Sequence, residues 1–127
     1  MLRMSEERHD YFAGIIRAHF PGYTVREYVP VAELTGDAGD IQKLYMERPE
    51  QVYRAEWGQP YEFVLYADGA VKAVVVSGLS RSHNSNAGYL VARMFAKKLN
   101  VPYIGFYGEF SNGEDYVVSR IRERLEG

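Results

Sequence analysis

Apolar residues recur along this chain with two different periods, and the alternation between those periods outlines a fold. Phe12, Ile15, Ile16 and Phe20 fall at helical spacing behind Ser5-Glu6-Glu7, where a hydroxyl suits an orphan backbone N–H and carboxylates suit the positive helix end. Pro21-Gly22 ends the pattern, so a first helix is expected over 5–20. Tyr23 to Val29 turns β-branched and aromatic and stops at Pro30, the signature of a strand. Over 31–60 the periodicity is poor, Gly36, Asp37, Gly39 and Asp40 cluster, and Ile41 to Met46 suits a helical turn or two. An irregular insert of this length is a candidate contact surface or lid.

The runs 61–66 and 71–76 are separated by Ala67-Asp68-Gly69-Ala70, and Asp-Gly between strand-like runs is a strong hairpin signal, which assigns Asp68 to the turn. The second run ends Val74-Val75-Val76, as expected of a central strand covered on both faces. The hairpin is therefore expected in mid-sheet, with Val75 buried and Ser77 near the strand end. A polar stretch over 78–86 leads to a helix whose Ala87, Leu90, Val91, Met94 and Leu99 are expected to line its buried side, with Asn100 as its end. Val101 to Tyr107 reads as another strand, Ser111-Asn112-Gly113-Glu114 as a capping box, and Val117, Val118, Ile121 and Leu125 as the apolar face of a last helix. The fold class is α/β (α+β) in the order αβββαβ(α): a hairpin followed by a helical crossover demands a mixed central sheet flanked by helices.

Composition narrows the function classes. At 127 residues and 46% hydrophobic, the chain supports one core, so a single domain over 1–127 is expected. Fifteen basic against seventeen acidic side chains give a net charge of −2, which provides no global field toward nucleic acid or an anionic membrane and leaves only a local basic patch. The lack of cysteine excludes disulfides and thiolate metal sites and is compatible with a reducing compartment. No apolar run reaches the roughly 18 residues of a membrane span, and 1–10 is too charged for a signal-peptide core, so a cytoplasmic, membrane-free protein is expected. Eleven tyrosines suit the half-buried faces of a sheet, and would also suit an interface.

The element order, with Tyr61-Glu62-Phe63-Val64-Leu65-Tyr66-Ala67-Asp68-Gly69 running into Val74-Val75-Val76-Ser77-Gly78, resembles the PD-(D/E)XK nuclease superfamily and its restriction-endonuclease-like core. Phe20-Pro21-Gly22-Tyr23-Thr24-Val25, Pro102 to Tyr107 and Tyr116 to Ile121 look like small bacterial proteins of that fold. The resemblance implies a site in which an acidic residue on the second strand and an acidic-x-Lys on the third hold Mg²⁺ and a lysine positions the attacking water. Glu62 matches the first acidic position, with Tyr61 in place of the motif's proline. Val75 falls where the second carboxylate belongs and Ser77 where the lysine belongs, so the motif is degenerate. In a displaced site, Glu6 or Glu7 and Arg93 or Lys97 would be the replacements.

The loop Ser80-Arg81-Ser82-His83-Asn84-Ser85-Asn86 joins the third strand to a helix N-terminus, where backbone N–H groups favour an anion. Arg81, His83, Asn84 and Asn86 are thus candidate anion-binding residues; the alternative is that Asn84 or Asn86 caps the helix while Arg81 and His83 are solvated. His9 and His19 lie about 15 Å apart along the first helix, too far to share a metal. The expectation is a catalytically inactive nuclease-like domain, without metal or cofactor, that binds nucleic acid, a protein partner or itself. An active Mg²⁺-dependent phosphodiesterase with a displaced site, and a small-molecule-binding or structural module, are the alternatives.

Overall fold

A computed structural model describes residues 5–35, 41–42, 52–53, 55–80 and 87–126. Helix α1 (Ser5–His19) leads into strand β1 (Thr24–Val29) and the single turn α2 (Val31–Thr35). Two-residue strands β2 (Ile41–Gln42) and β3 (Val52–Tyr53) pair antiparallel as a separate ladder, so Ile41 and Gln42 are extended rather than helical. A 3₁₀ turn over Ala55–Trp57 precedes β4 (Tyr61–Ala67), β5 (Ala70–Leu79), helix α3 (Ala87–Lys98), β6 (Tyr103–Tyr107) and helix α4 (Glu114–Glu126).

The main sheet runs β1-β4-β5-β6. Its first three strands are antiparallel neighbours, and β6 lies parallel to β5. The β4–β5 hairpin therefore occupies the centre. Its turn places Asp68 at φ 55° and Gly69 at φ 75°, the pair of left-handed residues that matches a tight hairpin to the right-handed twist of its strands. The β5-α3-β6 unit supplies the crossover that a parallel pair requires.

Two apolar layers close the sheet. Phe12, Ile15 and Ile16 of α1, Phe20 just past its end, and Val117, Val118 and Ile121 of α4 pack on Phe63, Leu65, Ala73, Val75, Ile104 and Phe106. On the other face, Val91, Ala92, Phe95 and Ala96 of α3, with Val31 of α2, cover Val29, Tyr61, Val64 and Val74. The buried face of α3 thus keeps Val91 but is centred on Ala92 and Phe95. Ala87 and Leu90 are exposed, because small alanines let the helix approach the sheet closely while Phe95 fills the gap. At the far end, α4 begins at Glu114, and Asn112, at φ 51°, donates its side-chain amide to the Tyr107 carbonyl at 2.9 Å. Among the described residues no helix is long and apolar enough to cross a membrane.

The phase of α3 is open to a direct check. Phe95→Ala removes a fully buried ring and is expected to cost about 3–5 kcal/mol in urea unfolding, whereas Leu90→Ala is expected to stay within about 0.5 kcal/mol of the parent. Equal losses would return the helix to the phase its sequence suggests.

Candidate functional site: a buried carboxylate at the sheet's α1 face

Side chains of β4 alternate between the layers until Glu62. Phe63 and Leu65 face α1 and Val64 faces α3, yet Tyr61, two residues before Phe63, packs in the α3 layer and donates its hydroxyl to the Ala92 carbonyl at 2.6 Å. On β1 the ladder pairs Glu27 with Phe63 and Val29 with Tyr61, and between them Tyr28 adopts φ 54°. An aromatic side chain in the left-handed region costs on the order of 1–3 kcal/mol and persists only where its surroundings hold it. The two irregularities turn Glu62 toward α1 and lay the Tyr28 ring on His9, with centroids 4.8 Å apart and planes at 18°.

His9 is the hub. Phe63 stacks on its other face at 4.5 Å, and its two ring nitrogens meet two different carboxylates: Nδ1 lies 2.7 Å from Glu62, and Nε2 meets Glu27. A neutral imidazole has one N–H to give, so facing two carboxylates favours the imidazolium, which has two. Burial lowers the pKa of the ring, but the hydrogen bonds and charges of Glu27 and Glu62 outweigh it and leave His9 raised above 6.5. Arg17, 2.7 Å away, and His9 hold Glu27 below its ordinary value.

Ser77 completes the arrangement from β5. Its backbone N–H donates to Glu62 Oε1 at 2.7 Å, and its hydroxyl lies 2.8 Å from both carboxylate oxygens. Glu62 and Ser77 are both buried. Every carboxylate oxygen of Glu62 is thereby engaged, as a buried charge requires. Behind Ser77, Arg8 brings Nε to 3.4 Å from the hydroxyl. The Arg8 guanidinium covers the carboxyl ends of the parallel strands: Cβ atoms built on Gly78 and Gly108 would meet it at 2.9 and 3.0 Å. Only glycine leaves that space. The Tyr89 hydroxyl borders the same point at Gly78, at 3.2 Å. Arg8 has no carboxylate within ion-pair distance among the described residues.

Of the residues singled out in the sequence, Glu62 and Ser77 meet directly. Val75 is buried in the α1 layer opposite Phe63. Glu6, Glu7, Arg93 and Lys97 are exposed, and none of them reaches Glu62. Asp68 is exposed at the far end of the hairpin. Arg81, His83, Asn84 and Asn86 lie outside the described residues. His9, Glu27 and Arg8 are the additions. One signal for His9 was present: with Phe12, Ala13 and Ile16 it sits at i, i+3, i+4 and i+7, a titratable group on the buried stripe of α1.

These residues do not fit the two-carboxylate Mg²⁺ site that the resemblance implies. Valine stands in one ligand position, and the remaining carboxylate is occupied by a peptide N–H, a hydroxyl and an imidazolium. Among the described residues no group of three or more histidine, aspartate or glutamate side chains is disposed to hold a metal ion. Comparison of the chain with protein-family models, with curated proteins and with solved structures finds no match.

The buried chain of charges sets a pH window for stability. Because His9 is raised, its contribution is complete below pH 6.5 and is lost as the pH climbs through its folded value. Because Glu27 is lowered, its contribution is complete above pH 4.5 and is lost as the pH falls through its folded value. His9→Gln is expected to lower stability by about 2 kcal/mol at pH 6 and by less at pH 9. The His9 imidazole resonances of the parent are expected to titrate with a midpoint above 6.5 in NMR spectra. A midpoint at or below that value would break the imidazolium assignment.

Proposed function

We propose that the chain is a PD-(D/E)XK-like domain of bacterial type in which metal-dependent hydrolysis has given way to binding, and that its cleft recognises the phosphate of a nucleic acid. The αβββαβ order and the meeting of Glu62 with Ser77 at the centre of the sheet support the family reading. The observation that carries the functional reading is the saturation of Glu62 by Ser77 and His9, which leaves the carboxylate no lone pair directed at a metal. Arg8 then provides a cation at the sheet end where the motif's lysine would act, lying against the backbone of Gly78 and Gly108. Hydrolysis needs an activated water and stabilisation of the charge developing on phosphorus, and without a metal neither is provided. Binding needs only the cation and the space. A reducing cytoplasm suits a chain without cysteine.

Two assays test the reading. DNA and RNA incubated with Mg²⁺ or Mn²⁺ are expected to remain intact, and a metal-dependent nick that disappears in Glu62→Ala would replace this reading with a displaced-site hydrolase. Single-stranded oligonucleotide binding is expected to be salt-sensitive, and Arg8→Ala is expected to weaken it about tenfold and to reduce the salt slope by about one. Unchanged binding by Arg8→Ala would remove the cleft from the account.

A further inference from the structure

A cavity of about 410 Å³ opens between α3 and strands β5 and β6, reaching their carboxyl ends at Leu79 and Tyr107. That volume lies within the range of small-ligand sites, about 300–1,000 Å³. Its walls come from three elements: Leu79 from β5, Tyr103 and Tyr107 from β6, and Tyr89, Leu90 and Arg93 from the first two turns of α3. Crevices outside the carboxyl ends of parallel strands are where open α/β sheets place their ligands.

Two features bear on the occupant. Three tyrosine rings line one cavity, and flat amphipathic rings accept another planar ring at little entropic cost. The Tyr103 hydroxyl is enclosed in the wall with no hydrogen-bond partner among the described residues, so Tyr103 offers an occupant its ring and not its hydroxyl. Arg93 is exposed on the lining and adds a cation, while the Tyr89 hydroxyl borders the Gly78 position that Arg8 also reaches.

We propose that this cavity is a subsite for one nucleotide unit, its base packed among Tyr89, Tyr103 and Tyr107 and its phosphate toward Arg93. The inference rests on the phosphate-binding reading above and extends it from charge to ring recognition. An aliphatic anion would leave the rings unused, and a neutral aromatic would leave Arg93 unused. A free nucleotide and an unstacked nucleotide within a single strand present the same chemistry.

The test titrates the full chain with adenosine 5′-monophosphate, adenosine, inorganic phosphate and a single-stranded oligodeoxyadenylate, followed by calorimetry. The monophosphate is expected to bind at least tenfold more tightly than adenosine or phosphate alone. Tyr89→Leu, which keeps apolar bulk but removes the ring, is expected to weaken binding about tenfold. Arg93→Ala is expected to make the monophosphate and adenosine bind alike. Tyr103→Phe, which keeps the ring and removes only the enclosed hydroxyl, is expected to leave binding unchanged while raising Tm by about 3 °C. Monophosphate binding that obeys these variants identifies a free nucleotide as the source; the same dependence with the oligonucleotide alone identifies a strand. Oligonucleotide binding that falls in Arg8→Ala but ignores Tyr89→Leu overturns the subsite and leaves the phosphate cleft standing. Loss of response to every probe overturns both.

Discussion

A carboxylate buried inside a sheet must find its compensation within the protein, and Glu62 obtains it from three separated parts of the chain. A single ionised group in apolar surroundings would otherwise protonate or unfold the site. Ser77 answers with a peptide N–H and a hydroxyl from the neighbouring strand, and His9 answers with a positive ring from the helix above. The His9 charge in turn recruits Glu27, and Glu27 recruits Arg17. Charge thus alternates from the interior to the surface, so each buried member meets an opposite partner and the outermost cation is solvated. The stacked rings of Tyr28 and Phe63 fix the imidazole plane and exclude water from both of its faces.

How much of this was legible in sequence depended on whether the physics was local. The hairpin was legible because Asp68-Gly69 states its own backbone geometry, and its central place followed from the apolar run at Val74 to Val76. The buried stripe of α1 was legible from period alone. Helix α3 was mis-phased because Leu90, a large apolar residue, looks buried in any pattern, whereas Ala92 and Ala96 are buried for being small; only the sheet beneath decides between them. The meeting of Glu62 with Ser77 was implied by motif spacing, but their mutual hydrogen bonds were not. The pairing with Glu27 was out of reach altogether, since it depends on the left-handed turn at Tyr28 and on a contact between β1 and α1 that no local signal encodes.

Gly78 and Gly108 have a role that neither the turn rules nor the motif suggests. Both lie where a Cβ would collide with the Arg8 guanidinium, so they keep a long cationic side chain flat against the strand ends. Tyr89 closes the same space from α3. The Arg8 guanidinium and the Tyr89 edge of the aromatic cavity thus meet over Gly78. A molecule large enough to touch both would be read twice, once for charge and once for ring.

The charged chain also orders events in time. His9 and Glu62 are separated by 53 positions, and Glu62 and Ser77 by 15. During synthesis the helix that carries the imidazole leaves the ribosome well before the strands that hold its partner, whereas the hairpin completes itself over a short loop. Helix α1 therefore spends its early life with an apolar stripe and no sheet to cover it. Ion pairing across 53 positions becomes favourable only once the hairpin is in place. Assembly of the charged centre therefore waits for the hairpin, and a nascent chain stalled before β5 emerges would carry the helix without the site.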